Sequence, residues 1–208
     1  MLSPETVREL LEPFSIQLLE ADIDKILLYL DLLLRWNQKI NLTSIRTPEE
    51  CLTRHFGESF LLARMFPLQG RLLDIGSGAG FPGLALKLIS PDLAVVLLEP
   101  VAKKRAFLKE VARVCGLGPI GVRGERFEDF SRHAKPHSFD IITARAVGGL
   151  EKLVPLAIDL LKPDGRLCLW IGRQKVREVM QMKLCLQWAE PLKIPGSEER
   201  VILAGRKI

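Results

Sequence analysis

The chain has 208 residues, 48% of them hydrophobic and 26% charged, a balance that places it among folded globular chains and excludes disordered and fibrous classes. A chain of this length buries roughly 70% of its unfolded surface without covalent staples. Net charge is +5 but unevenly spread: residues 1–70 carry 7 Lys/Arg against 10 Asp/Glu, and residues 71–208 carry 23 against 15, a basic body suited to a polyanionic partner.

Cys51, Cys115, Cys168 and Cys185 are far apart, with no zinc or dithiol spacing, so free thiols in a reducing compartment are expected. His133 and His137 lie in a polar stretch without further ligands, and no metal site is expected. Met1-Leu2-Ser3-Pro4-Glu5 does not open a basic-then-apolar leader, and no uncharged apolar run reaches about 18 residues. A cytoplasmic protein without membrane attachment is the expectation.

From Ile23 to Trp36, apolar residues recur at steps of three and four, which predicts an amphipathic helix. Thr47-Pro48 with Glu50 resembles a capping box with proline in the first helical position, and further helices follow Pro48 and Glu58. Residues 1–68 therefore read as a helical cap packed on the core. Pro67-Leu68-Gln69-Gly70 breaks that pattern, and residues 69–208 form the second unit. Strands are predicted at 71–75, 93–98, 120–123, 139–143 and 166–171, with helices near 82–89, 101–115, 150–161 and 174–183. Two last apolar segments, 184–189 and 200–204, joined through Pro195-Gly196-Ser197, read as a hairpin. The fold class is α/β, a doubly wound, mostly parallel sheet ending in an antiparallel hairpin, with the helical cap in front.

The most informative run is Asp74-Ile75-Gly76-Ser77-Gly78-Ala79-Gly80-Phe81-Pro82-Gly83, with glycines where the first strand must turn into a helix. Its Gly-x-Gly-x-Gly spacing is not the Gly-x-Gly-x-x-Gly fingerprint that seats a pyrophosphate. Asp74 at the strand end would repel phosphate and could hold, directly or through water, the ammonium of an amino-acid-like ligand such as S-adenosylmethionine. Glu99 closes the second strand, 25 residues on, where an acid can accept hydrogen bonds from ribose hydroxyls. A nicotinamide-dependent oxidoreductase is disfavoured by the glycine spacing and by Asp74.

The position after strand four reads Ile142-Thr143-Ala144-Arg145-Ala146 and lacks the Asn/Asp-Pro-Pro-aromatic loop common in enzymes that methylate exocyclic amines. None of the cysteines follows a proline, as the nucleophile for cytosine C5 usually does. Guanine N7 has an exposed lone pair, so transfer there needs alignment and electrostatics but no general base. O-methylation of a small acidic phenol or a carboxylate stays open at this point. So does a non-enzyme, a ribosome-assembly protein that binds RNA and keeps a vestigial cofactor pocket.

Four segments together resemble one family, the bacterial 16S rRNA guanine-N7 methyltransferases called RsmG or glucose-inhibited division protein B. They are Trp36-Asn37-x-x-Ile40-Asn41-Leu42-Thr43 with Arg54-His55, the glycine run with its Phe-Pro-Gly extension, Lys103-Lys104-Arg105-x-Phe107-Leu108, and Phe139-Asp140-x-x-x-x-Arg145-Ala146. The resemblance implies a class I, Rossmann-like methyltransferase fold and transfer from S-adenosylmethionine to N7 of one guanine, position 527 in the 530 loop of 16S rRNA. Two departures conserve charge: Glu58-Ser59 stands where the family often has Asp-Ser, and Glu99 where it often has Asp.

Carried over residue by residue, the resemblance implies cofactor contacts at Gly76, Phe81, Glu99, Pro100, Val101, Phe127, Glu128 and Arg145, with Asp74 and Gly78 in the same pocket. Arg145 and His55 are the positioning candidates, with no covalent nucleophile expected. Lys103, Lys104, Arg105, Arg173 and Arg200 are the RNA-contact candidates on a basic face. The expected partner is 16S rRNA or the small ribosomal subunit, and the expected state is a monomer.

Overall fold

A computed structural model describes residues 2–182 and 184–208. Helix α1 (Pro4–Leu11) starts at Ser3, whose hydroxyl accepts the Thr6 N–H at 3.1 Å, and runs into a 3-10 turn over Glu12–Phe14. Helix α2 (Glu20–Ile40) exceeds the predicted periodic stretch at both ends. It begins where the Asp22 carboxylate accepts the Leu19 N–H at 3.0 Å and ends at Asn41, whose φ of 50° lies in the left-handed region that short polar residues tolerate. The Thr47 hydroxyl accepts the Glu50 N–H at 3.3 Å with Pro48 in the first turn, the predicted cap of α3 (Pro48–Cys51). A π-helical turn, Leu52–Gly57, then leads into α4 (Glu58–Phe60) and α5 (Leu62–Met65).

The sheet has eight strands, β1 (Arg71–Ile75), β2 (Ala94–Leu98), β3 (Ile120–Arg123), β4 (Phe139–Arg145), β5 (Leu161–Gly172), β6 (Leu186–Trp188), β7 (Leu192–Lys193) and β8 (Arg200–Lys207). Their order is β3-β2-β1-β4-β5-β8-β6, with β7 also on β8. The first five are parallel, whereas β8 pairs antiparallel with β5, β6 and β7. Helices α6 (Gly83–Ile89), α7 (Ala102–Val114), α8 (Phe127–His133), α9 (Leu150–Leu160) and α10 (Arg173–Met180) complete the chain. Strand order reverses between β1 and β4, the crevice where doubly wound sheets bind ligands.

Three differences from the sequence expectation have local causes. Strand β5 starts at Leu161 because a register shift opposite Phe139–Ile141 lets Lys162-Pro163-Asp164-Gly165 bulge without ending the pairing. Helix α8 spans seven residues, too few for a legible period. Helix α10 stops at Met180, and Lys183, the predicted last residue of that helix, lies outside the described residues.

Alternation along β1 divides the interior. Leu72 faces a core built with Leu84, Leu97 and Phe107 and continuous with Tyr29, Phe56 and Phe60 of the amino-terminal helices. Leu73 and Ile75 face the opposite core with Ile142, Val154, Leu167 and Leu169. Among the described residues no helix is long and apolar enough to cross a membrane.

Tyr29, fully buried on α2, donates its hydroxyl to Ala79 O at 2.5 Å in the loop after β1 and stacks on Phe81 at 5.2 Å. Tyr29→Phe leaves the Ala79 carbonyl without that donor in a dry environment. It is expected to lower the unfolding free energy by about 1–2 kcal/mol in urea titrations.

Candidate functional site

The loop from β1 to α6 needs its glycines for two separate reasons. Gly76, Gly78 and Gly80 have φ of 69°, 56° and 92°, conformations that a side chain strains. At Gly80 an added Cβ would collide with the Tyr29 hydroxyl, and at Gly83 it would lie 2.8 Å from the Asp74 carboxylate. At Gly78 it would meet only Gly76 O, at 3.8 Å, so the backbone there faces open space that a ligand can fill.

Glu99, 4% exposed, ties this loop to the next one: Oε2 accepts the Gly78 N–H and Oε1 the Val101 N–H, each at 2.8 Å. Ser77 N–H also donates to Leu98 O at 2.9 Å. Arg105 donates from Nη1 to Glu99 O at 3.0 Å and Pro100 O at 2.6 Å. Its guanidinium, expected on an RNA-facing surface, is instead committed to holding the β2–α7 turn. Pro100 and Val101 are exposed beside it.

Asp74 sits at the end of β1 as predicted but is fully buried. Oδ1 accepts the Thr143 hydroxyl at 2.7 Å and Oδ2 the Gly83 N–H at 3.2 Å, so the carboxylate clamps β1, β4 and the start of α6 together. Reach to a ligand ammonium is not through a free, solvent-facing oxygen. Burial pushes the carboxyl up to about 6, against the hydrogen bonds from Thr143, Ser77 and Gly83.

A second polar cluster lies where the amino-terminal helices meet the end of β4. Buried Asn37 accepts the Thr43 N–H at 2.9 Å and donates to Ile45 O at 3.1 Å, which shapes the turn after α2. That turn brings the Thr43 hydroxyl within 2.9 Å of His55 Nε2, and the His55 ring stacks on Phe81 at 4.7 Å. Burial, reinforced by Arg145, Arg54 and Arg200, lowers the imidazole to about 3, so His55 is neutral at neutral pH. Glu58, also buried, pairs through Oε2 with Arg145 Nη2 at 3.2 Å and through Oε1 with Arg200 Nη2 at 2.8 Å. Arg145 further donates to Arg54 O at 2.6 Å, and Trp170 Nε1 donates to Glu58 O at 3.0 Å.

The structure thus brings Gly76, Gly78 and Glu99 together in one crevice and His55, Arg145 and Arg200 in the adjoining cleft, with Phe81 between them. The Phe81 ring faces Tyr29 and His55, which leaves only its backbone at the loop surface. Phe127 is packed in the core against Leu98 and Glu128 is exposed beyond it. Lys103 and Arg173 are exposed and Lys104 half-buried. Sequence reasoning missed the parts played by Tyr29, Thr43, Glu58 and Thr143. Glu58 alone carried a signal, an acid within the apolar run Phe56 to Leu62. Among the described residues no group of three or more His, Cys, Asp or Glu is placed to hold a metal ion.

The family described as rRNA small subunit methyltransferase G matches residues 22–202. A protein of Desulfitobacterium hafniense named ribosomal RNA small subunit methyltransferase G is 42% identical over 83% of this chain and 72% of its own length. A protein of the same name from Xylella fastidiosa is 36% identical over 99% of this chain and 98% of its own. The chain belongs to the rRNA small subunit methyltransferase G family. The fold agrees with that membership. An S-adenosylmethionine-dependent O-methyltransferase from Thermotoga maritima superposes with a TM-score of 0.61 at 16% identity, covering 85% of this chain and 71% of that one. An S-adenosylmethionine-dependent methyltransferase from Aquifex aeolicus gives 0.60 at 13%, covering 76% and 93%. The sheet is therefore the Rossmann-like methyltransferase sheet.

Asp74 makes the stability of this family member depend on pH in a definite direction. Its folded-state pKa is raised from 3.8 to about 6, so its contribution is fully present below pH 3.8 and is lost as pH rises through 6. Asp74→Asn keeps the shape without the charge. Relative to wild type, its unfolding free energy is expected to gain about 3 kcal/mol between pH 4 and pH 8, read from denaturant titrations at both values.

Proposed function

We propose that this protein transfers a methyl group from S-adenosylmethionine to N7 of a single guanine in small-subunit rRNA, the guanine at position 527 in the 530 loop. Family membership carries the substrate class. The observation that carries the cofactor is the crevice over Gly78, where open space adjoins the Glu99 carboxylate at the strand-order reversal.

In this reading Gly76 and Gly78 let the cofactor lie against loop backbone, with Phe81 contributing its main chain. Glu99 accepts the ribose hydroxyls while its bonds to Gly78 and Val101 fix the carboxylate plane. Pro100 and Val101, with Phe127 and Glu128 at the start of α8, flank the adenine. Asp74 acts from behind by holding β1, β4 and Gly83 in register. Bound there, S-adenosylmethionine would supply a sulfonium-activated methyl, whose carbon–sulfur bond would break as the guanine N7 lone pair bonds to the methyl carbon in line, with S-adenosylhomocysteine leaving as a neutral thioether.

N7 is unprotonated at neutral pH, so this chain need not remove a proton from it, and His55, neutral and hydrogen-bonded to Thr43, is suited to positioning. Rate comes from alignment of two bound partners and exclusion of water, with neither a metal nor a covalent intermediate in the scheme. Residues 1–68 serve as a cap that helps shape the substrate side of the site on the catalytic unit, residues 69–208. The reading includes a monomer acting in the cytoplasm, where rRNA is modified. Arg173, Lys103 and Lys104 offer exposed or half-exposed cations along the basic unit.

The deciding experiment offers labelled S-adenosylmethionine with deproteinised 16S rRNA and with small subunits lacking the modification, then maps the label. Label at one guanine N7 is the expected result. Cofactor binding without transfer to either form would instead favour an assembly factor with a vestigial pocket. Gly78→Val strains a residue at φ 56° and fills the space over the loop. Calorimetry is expected to show at least a tenfold loss of S-adenosylmethionine affinity with the circular dichroism spectrum retained.

A further inference from the structure

Several surface arginines of this chain are neutralised locally: Arg35 pairs with Asp31, Arg113 with Glu110, Arg132 with Asp129 and Arg206 with Asp164. One concave surface departs from that pattern. Arg173 and Arg177 of α10 and Lys193 of β7 line a groove of about 520 Å³. All three are exposed, and among the described residues none of their side chains enters an ion pair or a hydrogen bond.

The sequence of α10 accounts for one wall. Arg173, Val176, Arg177 and Met180 stand at i, i+3, i+4 and i+7, one face of a helix, whereas Val179 on another face is buried in the core. The groove face alternates charge with apolar surface, since Val176 is half-buried and Met180 is 40% exposed. Val201 of β8 lies at the floor, Pro191 and Lys193 stand opposite, and Glu190 is the single carboxylate among the lining residues. The Arg173 N–H donates to Glu199 O at 2.7 Å, which fixes the start of α10 against the segment leading into β8.

Place and chemistry together indicate the occupant. Gly172 and Ile194 line the cleft beside Phe81, and their chain neighbours Arg173 and Lys193 line this groove, so a strand leaving the cleft at the carboxyl edge of the sheet meets the groove next. Arg173 and Arg177 are one turn apart, about 6 Å along the helix axis, a step comparable with that between consecutive phosphates of an extended strand. Single strands are held by cations that track the backbone and by side chains on which base faces pack. Protein interfaces, by contrast, are depleted of charge at their centre.

We propose that the groove between α10 and β7 holds the single-stranded RNA that flanks the acceptor guanine, with Arg173, Arg177 and Lys193 on its phosphates and Met180 and Val176 under a base. The assignment rests on the rRNA methyltransferase reading and adds to it a strand path outside the cofactor site. It also gives the last helix and the antiparallel strands at the end of the sheet a part in substrate binding.

The test uses the full chain with a deproteinised small-subunit RNA fragment that contains the acceptor guanine. Arg177→Gln and Lys193→Gln are each expected to raise the Kd and the KM for RNA severalfold and to reduce the slope of log K against log salt by about 0.7. Both kcat at saturating RNA and the S-adenosylmethionine Kd are expected to stay within about twofold of wild type. Lys175→Gln makes the same charge change on α10 outside the groove and is expected to leave the slope unaltered. Glu190→Gln acts in the opposite direction and is expected to tighten RNA binding roughly threefold at low salt, a gain that damage to the fold does not produce. Equal effects of Lys175→Gln and Arg177→Gln would overturn the proposal by assigning the dependence to overall charge, as would unchanged affinity in both groove variants.

A photoreactive analogue in place of Met180 gives an independent readout. Crosslinks to nucleotides near the acceptor guanine are expected, both with the fragment and with the intact small subunit. Crosslinks only to a ribosomal protein, or to a second copy of this chain, would refute the RNA assignment. Wild-type transfer is measured first in every series. Failure of that transfer counts against the proposed function, whereas normal transfer with groove variants that bind RNA like wild type counts only against the groove.

Discussion

The ring of Phe81 is the contact on which the rest of the site depends. It is 7% exposed and lies between Tyr29 at 5.2 Å and His55 at 4.7 Å, both rings nearly parallel to it, with Phe56 edge-on at 4.9 Å. Burying such a ring contributes about 1.5–3 kcal/mol, and each well-placed aromatic neighbour about 0.5–1.5 kcal/mol more. That is enough to hold a glycine loop that has little reason of its own to stay in one shape. The Tyr29 hydroxyl then fixes Ala79, and Gly80 is obligatory because the same hydroxyl occupies the space of a side chain. Helices that precede the sheet thereby shape a loop that belongs to it.

The same contact places two electrostatic environments side by side. On one side of Phe81, backbone N–H groups and the Glu99 carboxylate offer a ligand hydrogen bonds and little net charge. On the other, the largely buried Arg145 guanidinium and the half-exposed Arg200 flank buried Glu58 and leave a local excess of positive charge.

How much of this the sequence disclosed follows from what each feature depends on. Strands β1, β2 and β3 were legible to within a residue because buried parallel strands read as short apolar runs between breaks. Their parallel arrangement was legible from alternation with helices, whereas the strand order came from the structure. The glycine loop was legible because backbone geometry restricts residue type directly. By contrast Asp74 and Arg105 were read as ligand-facing or RNA-facing because residue type and position cannot show where a side chain's partners lie. The bond from Thr143 to Asp74 joins residues 69 apart, and that from Arg105 to Pro100 depends on how the chain turns after β2. Glu58 is the clearest case, an acid in an apolar helix whose partners, Arg145 and Arg200, come from distant strands or their ends.

The proposed transfer to guanine N7 asks for no proton transfer, and that changes what the protein must provide. With no general base to tune, the perturbed groups here serve shape. Asp74 is raised because it is sealed between strands, and His55 is lowered because it is stacked and surrounded by arginines. Perturbed titration is often taken to indicate an acid or base in the chemistry. In this molecule it records desolvation of groups that hold the loop and the turn after α2 in shape, and in the proposed reaction their displacement would affect rate through geometry without changing the mechanism.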